Sequence, residues 1–243
     1  MKKIDSQSHD ASIVWPRLIQ GILIERYKRF MADVKLRNGH VVIAHCPNSG
    51  SMKTCSEPGR PVYLSRSDNP KRRLKYTWEM IRMPGSLVGV NTSVPNRLVR
   101  ESIRAGRIDS LSGYESLRTE VKYGRNSRID ILLEDPHRGR CYVEIKNCTL
   151  IRDNAAYFPD AVTSRGLKHL KELQEQVNQG HRGVIFFLIQ RMDSTSFRPA
   201  DDIDPAYGLE LRKVLRNGVE IIVYDVRLNL ERIVLNKPVA HEL

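Results

Sequence analysis

The sequence predicts an all-β domain followed by an α/β domain: a small N-terminal β-barrel, then an α/β sandwich around a mixed central sheet. Three observations carry this. Between residues 13 and 84, short β-rich runs alternate with turn residues, and about five strands in so short a span suit a small barrel. Beyond Val90 the order becomes α-β-β-β-α-β-α-β, the pattern of helices packed on a sheet. The run from Val184 to Ile189 is apolar throughout, as a central strand covered on both faces requires.

The opening segment, "MKKIDSQSHDAS", reads as a disordered tail over residues 1–12. Its two lysines are not followed by the apolar stretch of a secretory signal. The barrel is expected over residues 13–85. Its strands fall at 18–24, at the two arms of "FMADVKLRNGHVVIAHC", at 61–65 and at 74–80, with a further short run at 87–90. Asn38-Gly39 supplies the hairpin turn. The second domain is expected over residues 86–243. "SVPNRLVRESIRAG" opens near a proline and closes at Gly106, with Leu98, Val99, Ser102 and Ile103 on its inner side, which predicts a helix. Strands follow at 117–123, 127–134 and 140–147, then the irregular segment "IRDNAAYFPDAVT". Leu167, Leu170, Leu173 and Val177 recur at helical spacing within 164–178. A helix over 206–216 and a strand over 219–226 complete the order.

Lys and Arg number 40 against 28 Asp and Glu, a formal charge of +12 and a pI near 9.7. Such an excess argues for a polyanionic partner, nucleic acid before anionic membrane, because no basic amphipathic helix with an aromatic face is present. A protein that is merely basic is the plain alternative. The longest uninterrupted apolar run has six residues, against the roughly 20 that span a bilayer. Cys46, Cys55, Cys141 and Cys148 form no C-x-x-C pair and sit among apolar residues, as buried thiols in a reducing cytoplasm do. A zinc site built on His45, Cys46 and Cys55 is the alternative.

The hairpin "NSRIDILLEDPHRGRCYVEIK" carries Asp130, Glu144 and Lys146 between two apolar runs. Alternation puts Glu144 and Lys146 on one face and Val143 and Ile145 on the other; Arg128 and Asp130 likewise lie opposite Ile129, Ile131 and Leu133. With Glu134 and Arg140 as the last pair around a five-residue loop, "DPHRG", Asp130 falls directly across from Glu144. Carboxylates that close repel unless a cation lies between them. Lys146 could supply that charge, making a solvated ion cluster, or a divalent metal could. Glu101, at the flank of the preceding helix's apolar face, is placed to lean toward the same site.

Cationic residues are interleaved with aromatic ones in "RPVYLSRSDNPKRRLKYTW". Arg60, Arg66, Lys71, Arg72, Arg73 and Lys75 would meet phosphates, while Tyr63, Tyr76 and Trp78 would offer stacking faces. The alternative is a basic loop over core aromatics. Arg97, Arg100, Arg104 and Arg107 form a stripe at helical spacing, either a phosphate track or a solvated face. Arg128 shares the face of Asp130, and Arg165 and His169 are candidate phosphate contacts beside the metal site. Asp160 reads as a cap or loop anchor, His45 as a structural histidine or part of a phosphate loop. Glu120 reads as an extra acid or a partner of Arg118 or Lys122.

The helix, three strands, helix and buried strand, with an acid on the second strand and E-x-K on the third, resemble the PD-(D/E)xK nuclease superfamily. The resemblance implies Asp130, Glu144, Lys146 and Glu101 as catalytic residues. It further implies Mg²⁺ or Mn²⁺ held by Asp130, Glu144 and the Ile145 carbonyl, with Lys146 positioning or deprotonating the attacking water. Longer stretches, "RYKRFMADV", "AHCPNSGSM", "VGVNTSVPNRLV", "KYGRNSRIDILL", "CYVEIKNCTL", "FPDAVTSRGLKHLKEL" and "FFLIQRMD", resemble the sugar fermentation stimulation protein (SfsA) family over nearly the whole chain. That resemblance implies an N-terminal OB-like barrel joined to a PD-(D/E)xK nuclease-like domain, DNA binding, and a link to maltose and other sugar metabolism. Two readings follow: a metal-dependent nuclease, or a non-catalytic DNA-binding transcriptional regulator on a nuclease-derived scaffold. Oligomeric state is left open, a homodimer included.

Overall fold

The computed structural model describes residues 11–124 and 127–243. The expected disordered tail falls almost entirely outside the described residues, as do residues 125 and 126 at the start of the acidic hairpin. The first strand among the described residues, β1 (Ile13–Val14), joins the second domain's sheet and so corrects the expected start of the barrel. It pairs with residues near the C-terminus, Ile13 opposite Ile233 and Val14 opposite Arg232. Trp15 Nε1 then donates to the Asn229 carbonyl at 3.0 Å. A strand of two residues carries too little pattern to show which sheet it joins.

The barrel consists of β2 (Leu18–Tyr27), β3 (Met31–Leu36), β4 (Val41–His45), β5 (Pro61–Arg66), β6 (Tyr76–Arg82) and β7 (Leu87–Gly89). They lie in the order β4-β3-β2-β5-β6-β7, and a short parallel pairing of β4 with β6, Ala44 opposite Tyr76, closes five of them into a ring. The expected Asn38-Gly39 turn joins β3 to β4, with Gly39 at φ +86°, a conformation that glycine adopts without strain. Leu23, Val34, Val62, Leu64, Trp78 and Ile81 fill the interior.

The second domain contains α1 (Val94–Arg104), β8 (Ser116–Tyr123), β9 (Ser127–Asp135), β10 (Gly139–Cys148), β11 (Leu150–Arg152), β12 (Ala155–Phe158) and α2 (Ser164–Asn178). It continues with β13 (Arg182–Ile189), β14 (Ser196–Pro199), α3 (Pro205–Arg216), β15 (Glu220–Leu228), β16 (Arg232–Pro238) and β17 (Ala240–His241). The main sheet runs β1-β16-β15-β13-β10-β9-β8. It is mixed, because β13 pairs in parallel with β10 and β15 while β8, β9 and β10 are antiparallel. The segment read as irregular instead forms part of a small second sheet, β11-β12-β14-β17. Strands of two to four residues are too short to print a period.

Burial explains which helix covers which face. Leu98, Val99 and Ile103 of α1 pack with Ile131, Val143, Ile145 and Phe186. Leu170 and Leu173 of α2 and Leu211 of α3 pack with Leu132, Tyr142, Ile185 and Phe187 on the other side. Ile129, expected beside Ile131, joins this second cluster instead. Each of the two later helices is capped: Thr163 accepts from the Gly166 N–H and Asp204 from the Tyr207 N–H, both at 3.0 Å. All four cysteines are buried and free, with Cys46 and Cys55 inside the barrel core rather than in a zinc site. No helix among the described residues is long and apolar enough to cross a membrane.

Trp78 corrects the expectation of a stacking platform. It is wholly buried in the barrel, and its Nε1 donates to the Met80 carbonyl at 2.9 Å. Trp78→Ala is therefore expected to lower folding stability by about 3–5 kcal/mol, measured by urea unfolding.

Candidate functional site

The register of the acidic hairpin is the expected one, carried one pair further. Arg140 faces Glu134 and Val143 faces Ile131, but Gly139 also faces Asp135, which leaves a three-residue turn rather than five. Asp135 Oδ1 tightens that turn by accepting from the His137 and Arg138 N–H groups, both at 2.9 Å. Gly139 completes it at φ +71°. At the other end the ladder stops at Val143–Ile131. The next residue, Asp130, turns its carboxylate onto the neighbouring strand: Oδ2 accepts from the Ile145 N–H at 2.7 Å. Its Oδ1 accepts from Asn96 Nδ2 of α1, also at 2.7 Å.

Glu144 lies across the opening and is 2% exposed. Its Oε1 accepts from Lys146 Nζ at 2.7 Å and meets His169 Nδ1 of α2. Arg165 Nε lies 3.4 Å from His169 Nε2. Lys146 Nζ lies 3.3 Å from His169 Nδ1, so Glu144, Lys146, His169 and Arg165 form one chain of polar contacts. Glu144 Oε2 is buried without a hydrogen-bond partner among the described residues. These groups are roofed by α2, so the cluster is no solvated strand face.

Burial, then the charge of Glu144, pushes the Asp130 carboxyl up to about 6, against the pull of the Ile145 N–H, Lys146 and Asn96. Burial also pushes Glu144 upward, but Lys146 and His169 outweigh it and hold that carboxyl below its ordinary value. The pair is thus divided into a firmly ionised member and one that keeps its proton into mildly acidic solution. Two carboxylates, one with an orphaned oxygen, fit a hard divalent cation. No third His, Cys, Asp or Glu joins them in a ligand cluster among the described residues. Further ligands would come from the Ile145 carbonyl and water, and Mg²⁺ characteristically keeps several waters.

Glu101 is not brought to this cluster. Its carboxylate is held by Arg100 at 2.7 Å and Arg104 at 3.5 Å. It lies five residues beyond Asn96, which places it about 140° around the helix. Asn96 is the α1 residue that reaches Asp130, and a lone amide in a first helical turn gives no distinguishing signal in sequence. His169 lies inside the cluster rather than on its surface, and Arg165 is exposed beside it. Arg97 and Arg128 are exposed, as are Arg66, Lys71 and Arg73 on the barrel. Lys75 folds back on the Asn69 and Pro70 carbonyls, Arg72 donates to Thr77 Oγ1 at 2.6 Å, and Tyr76 is half-buried against the barrel core. Asp160 is a loop anchor: its Oδ2 accepts from the Met52 N–H at 3.0 Å. Arg118 pairs with Glu134 at 2.9 Å, not with Glu120, whose backbone leaves the ladder at φ +54°.

Family models match both domains. Residues 93–232 match the sugar fermentation stimulation protein RE domain, and residues 24–90 match the SfsA N-terminal OB domain. The chain belongs to the sugar fermentation stimulation protein family. A family homolog from Geobacter sulfurreducens is 57% identical over 226 residues, covering 93% of this chain and 97% of that protein. One from Maricaulis maris is 51% identical over 227 residues, with 93% and 97% covered. The structure of Pyrococcus furiosus SfsA in complex with Ca²⁺ superposes with a TM-score of 0.88 at 24% identity, covering 95% of this chain and 98% of that one. That likeness establishes the fold alone: an OB barrel followed by a mixed α/β sheet.

The raised Asp130 carboxyl sets the sign of a stability change. Its proton is held more tightly in the folded chain than in the unfolded one. The associated stability is therefore complete below about pH 4 and is lost as pH rises through about 6. Asp130→Asn, free of that charge, is expected to exceed the metal-free wild type by about 1–3 kcal/mol at pH 7.5. The difference is expected to vanish toward pH 4, in denaturant titrations at both values.

Proposed function

We propose that the protein binds nucleic acid and hydrolyses its phosphodiester bonds with a divalent metal ion, Mg²⁺ or Mn²⁺, held by Asp130 and Glu144. The observation that carries this reading is the buried, orphaned Oε2 of Glu144, set beside Asp130 and Lys146. The strand pattern of the PD-(D/E)xK nucleases supports it. So does the Ca²⁺ named with the Pyrococcus furiosus structure, since Ca²⁺ is another hard cation that takes oxygen ligands. The net charge of +12 supports a polyanionic substrate, and four buried free thiols suit a reducing cytoplasm.

The bound ion would neutralise the two carboxylates and polarise a phosphate oxygen. The chain's own residues prepare for that. Asn96 and the Ile145 N–H each occupy one oxygen of Asp130 and fix its orientation. His169 and Lys146 both occupy Oε1 of Glu144, which leaves Oε2 for the ion. Lys146, with 12% of its side chain exposed, is held at Nζ where it can orient a water molecule and stabilise developing negative charge. Exposed Arg165, next to His169, and exposed Arg97 and Arg128 offer guanidinium groups to phosphates.

Purified protein is expected to cleave labelled DNA or RNA in Mn²⁺ or Mg²⁺ and not in EDTA. Lys146→Ala is expected to lower the rate by about 10²–10⁴-fold. No metal-dependent difference between the two proteins would leave the non-catalytic DNA-binding regulator as the function. In thermal melts, Mn²⁺ is expected to stabilise the wild type and Glu101→Gln but not Glu144→Gln. Equal stabilisation of all three would remove Glu144 as a ligand.

A further inference from the structure

The arginine stripe expected along α1 is not continuous. Arg100 and Arg104 both pair with Glu101, at 2.7 and 3.5 Å. Arg107 lies beyond the end of the helix, where Gly106 turns the chain at φ +66° and the Arg107 N–H donates to the Ser102 carbonyl at 2.9 Å. There Arg107 lines a pocket of about 310 Å³, and Arg227 of β15 is the second cation in its wall. Both arginines are exposed. Neither guanidinium has a hydrogen bond or an ion pair among the described residues.

Three parts of the chain assemble this pocket. Arg107 follows α1, Arg227 faces Val234 across the β15–β16 ladder, and Ala11 stands just before β1, which β16 holds in register. Ala11 and Leu235 are buried and give the pocket an apolar floor. Asn236 also lines it and commits Nδ2 to Asp225 Oδ1 at 3.0 Å, which leaves its own Oδ1 to accept from a ligand hydroxyl. The Lys237 N–H donates to the same Asp225 oxygen at 3.0 Å. Among the described residues no acid lines the pocket. In the main sheet β13 and β15 stand between β16 and β10, so the pocket is separate from the Glu144 cluster.

We infer that this pocket is a second anion site, which binds the terminal phosphate of a phosphate monoester between Arg107 and Arg227. Two guanidiniums without partners beside one cavity repel each other, and an anion between them reverses the sign of that interaction. A carboxylate keeps both oxygens in one plane and is matched by a single guanidinium fork. A terminal phosphate offers three oxygens in divergent directions, so it can meet forks from two separate elements at once. The cavity volume stands near the lower end of the roughly 300–1,000 Å³ typical of ligand pockets. It suits a phosphate with a small body resting on Ala11 and Leu235. Two sources carry that group: a free small phosphate ester, and the phosphorylated end of a nucleic-acid chain. The site does not depend on the proposed hydrolysis.

The test is isothermal titration calorimetry of the full chain with glycerol 3-phosphate, in EDTA and enough salt to screen the general positive charge. Saturable binding at one site is expected, and glycerol is expected not to bind. Arg107→Ala and Arg227→Ala are each expected to weaken binding at least about tenfold, the loss of one charged hydrogen-bonding partner. Arg216→Ala removes the same charge from the exposed end of α3 and is expected to leave the affinity unchanged. Circular dichroism checks that each variant is folded. A 5′-phosphorylated trinucleotide and its 5′-hydroxyl counterpart then separate the sources. A preference for the phosphorylated one that is lost in Arg227→Ala assigns the site to nucleic-acid ends; no preference, with glycerol 3-phosphate still bound, assigns it to a free ester. Failure of the wild type to bind either phosphorylated probe overturns the inference. So does binding that survives both pocket variants, or that Arg216→Ala weakens as much as they do. Phosphate binding in a protein that cuts nothing upholds this site and removes only the hydrolysis; cleavage without phosphate binding does the reverse.

Discussion

The hydrogen bond from the Ile145 N–H to Asp130 Oδ2 marks the place where β9 and β10 part company. Up to Val143 the two strands share an ordinary antiparallel ladder. Beyond it a side chain replaces the neighbouring backbone as the acceptor, so the sheet opens without leaving that buried N–H unsatisfied. Everything at the site depends on this substitution. It orients Asp130 toward Glu144, and it gives Asn96 of α1 a target on the sheet.

Burying Glu144 in such an opening would cost several kcal/mol if its charge were isolated. Lys146 and His169 offset that cost, yet both do so at the same oxygen. The asymmetry distinguishes the arrangement from a structural ion pair, in which both oxygens would be expected to find donors. Burial, and after it the charge of Glu144, acts instead on Asp130, whose carboxyl is raised to about 6. The proposed cation would relieve that electrostatic imbalance.

The two domains share an apolar cluster, in which Tyr63, Met80 and Leu87 of the barrel pack with Leu98, Val99 and Val143 of the second, and polar bonds add to it. Gly89 donates to the Gln190 carbonyl at 2.9 Å, and Val88 bridges to Arg191. Gln190 Nε2 donates in turn to Asn147 Oδ1 at 2.8 Å, beside Lys146, and to the Asn91 carbonyl at 3.2 Å. The end of the barrel is thereby tied to the strand that carries the site, and the β4–β5 loop is bonded to Thr92, Thr149 and Asp160 of the second domain.

Much of this was legible in the residues themselves. Period-two alternation and a turn flanked by Glu134 and Arg140 set the hairpin register, because pairing in a β-ladder is a local, countable relation. Helical spacing similarly revealed the buried faces of α1 and α2. Contacts between elements distant in sequence were not legible. Glu101 looked like the helix acid because it flanks an apolar face, but helix rotation turns Asn96 to the sheet and leaves Glu101 with its arginine neighbours. Trp78 looked like a stacking ring because its neighbours are basic, yet strand alternation and barrel closure carry it inside. The sequence by itself determined the two-domain order, the register and the chemical identity of the Asp-Glu-Lys cluster. Only the tertiary structure decided that Asn96 and His169 complete it, that β1 crosses to the second domain, and that a barrel loop bonds to Asp160. Those choices depend on distances between segments far apart in the chain, which no local period encodes.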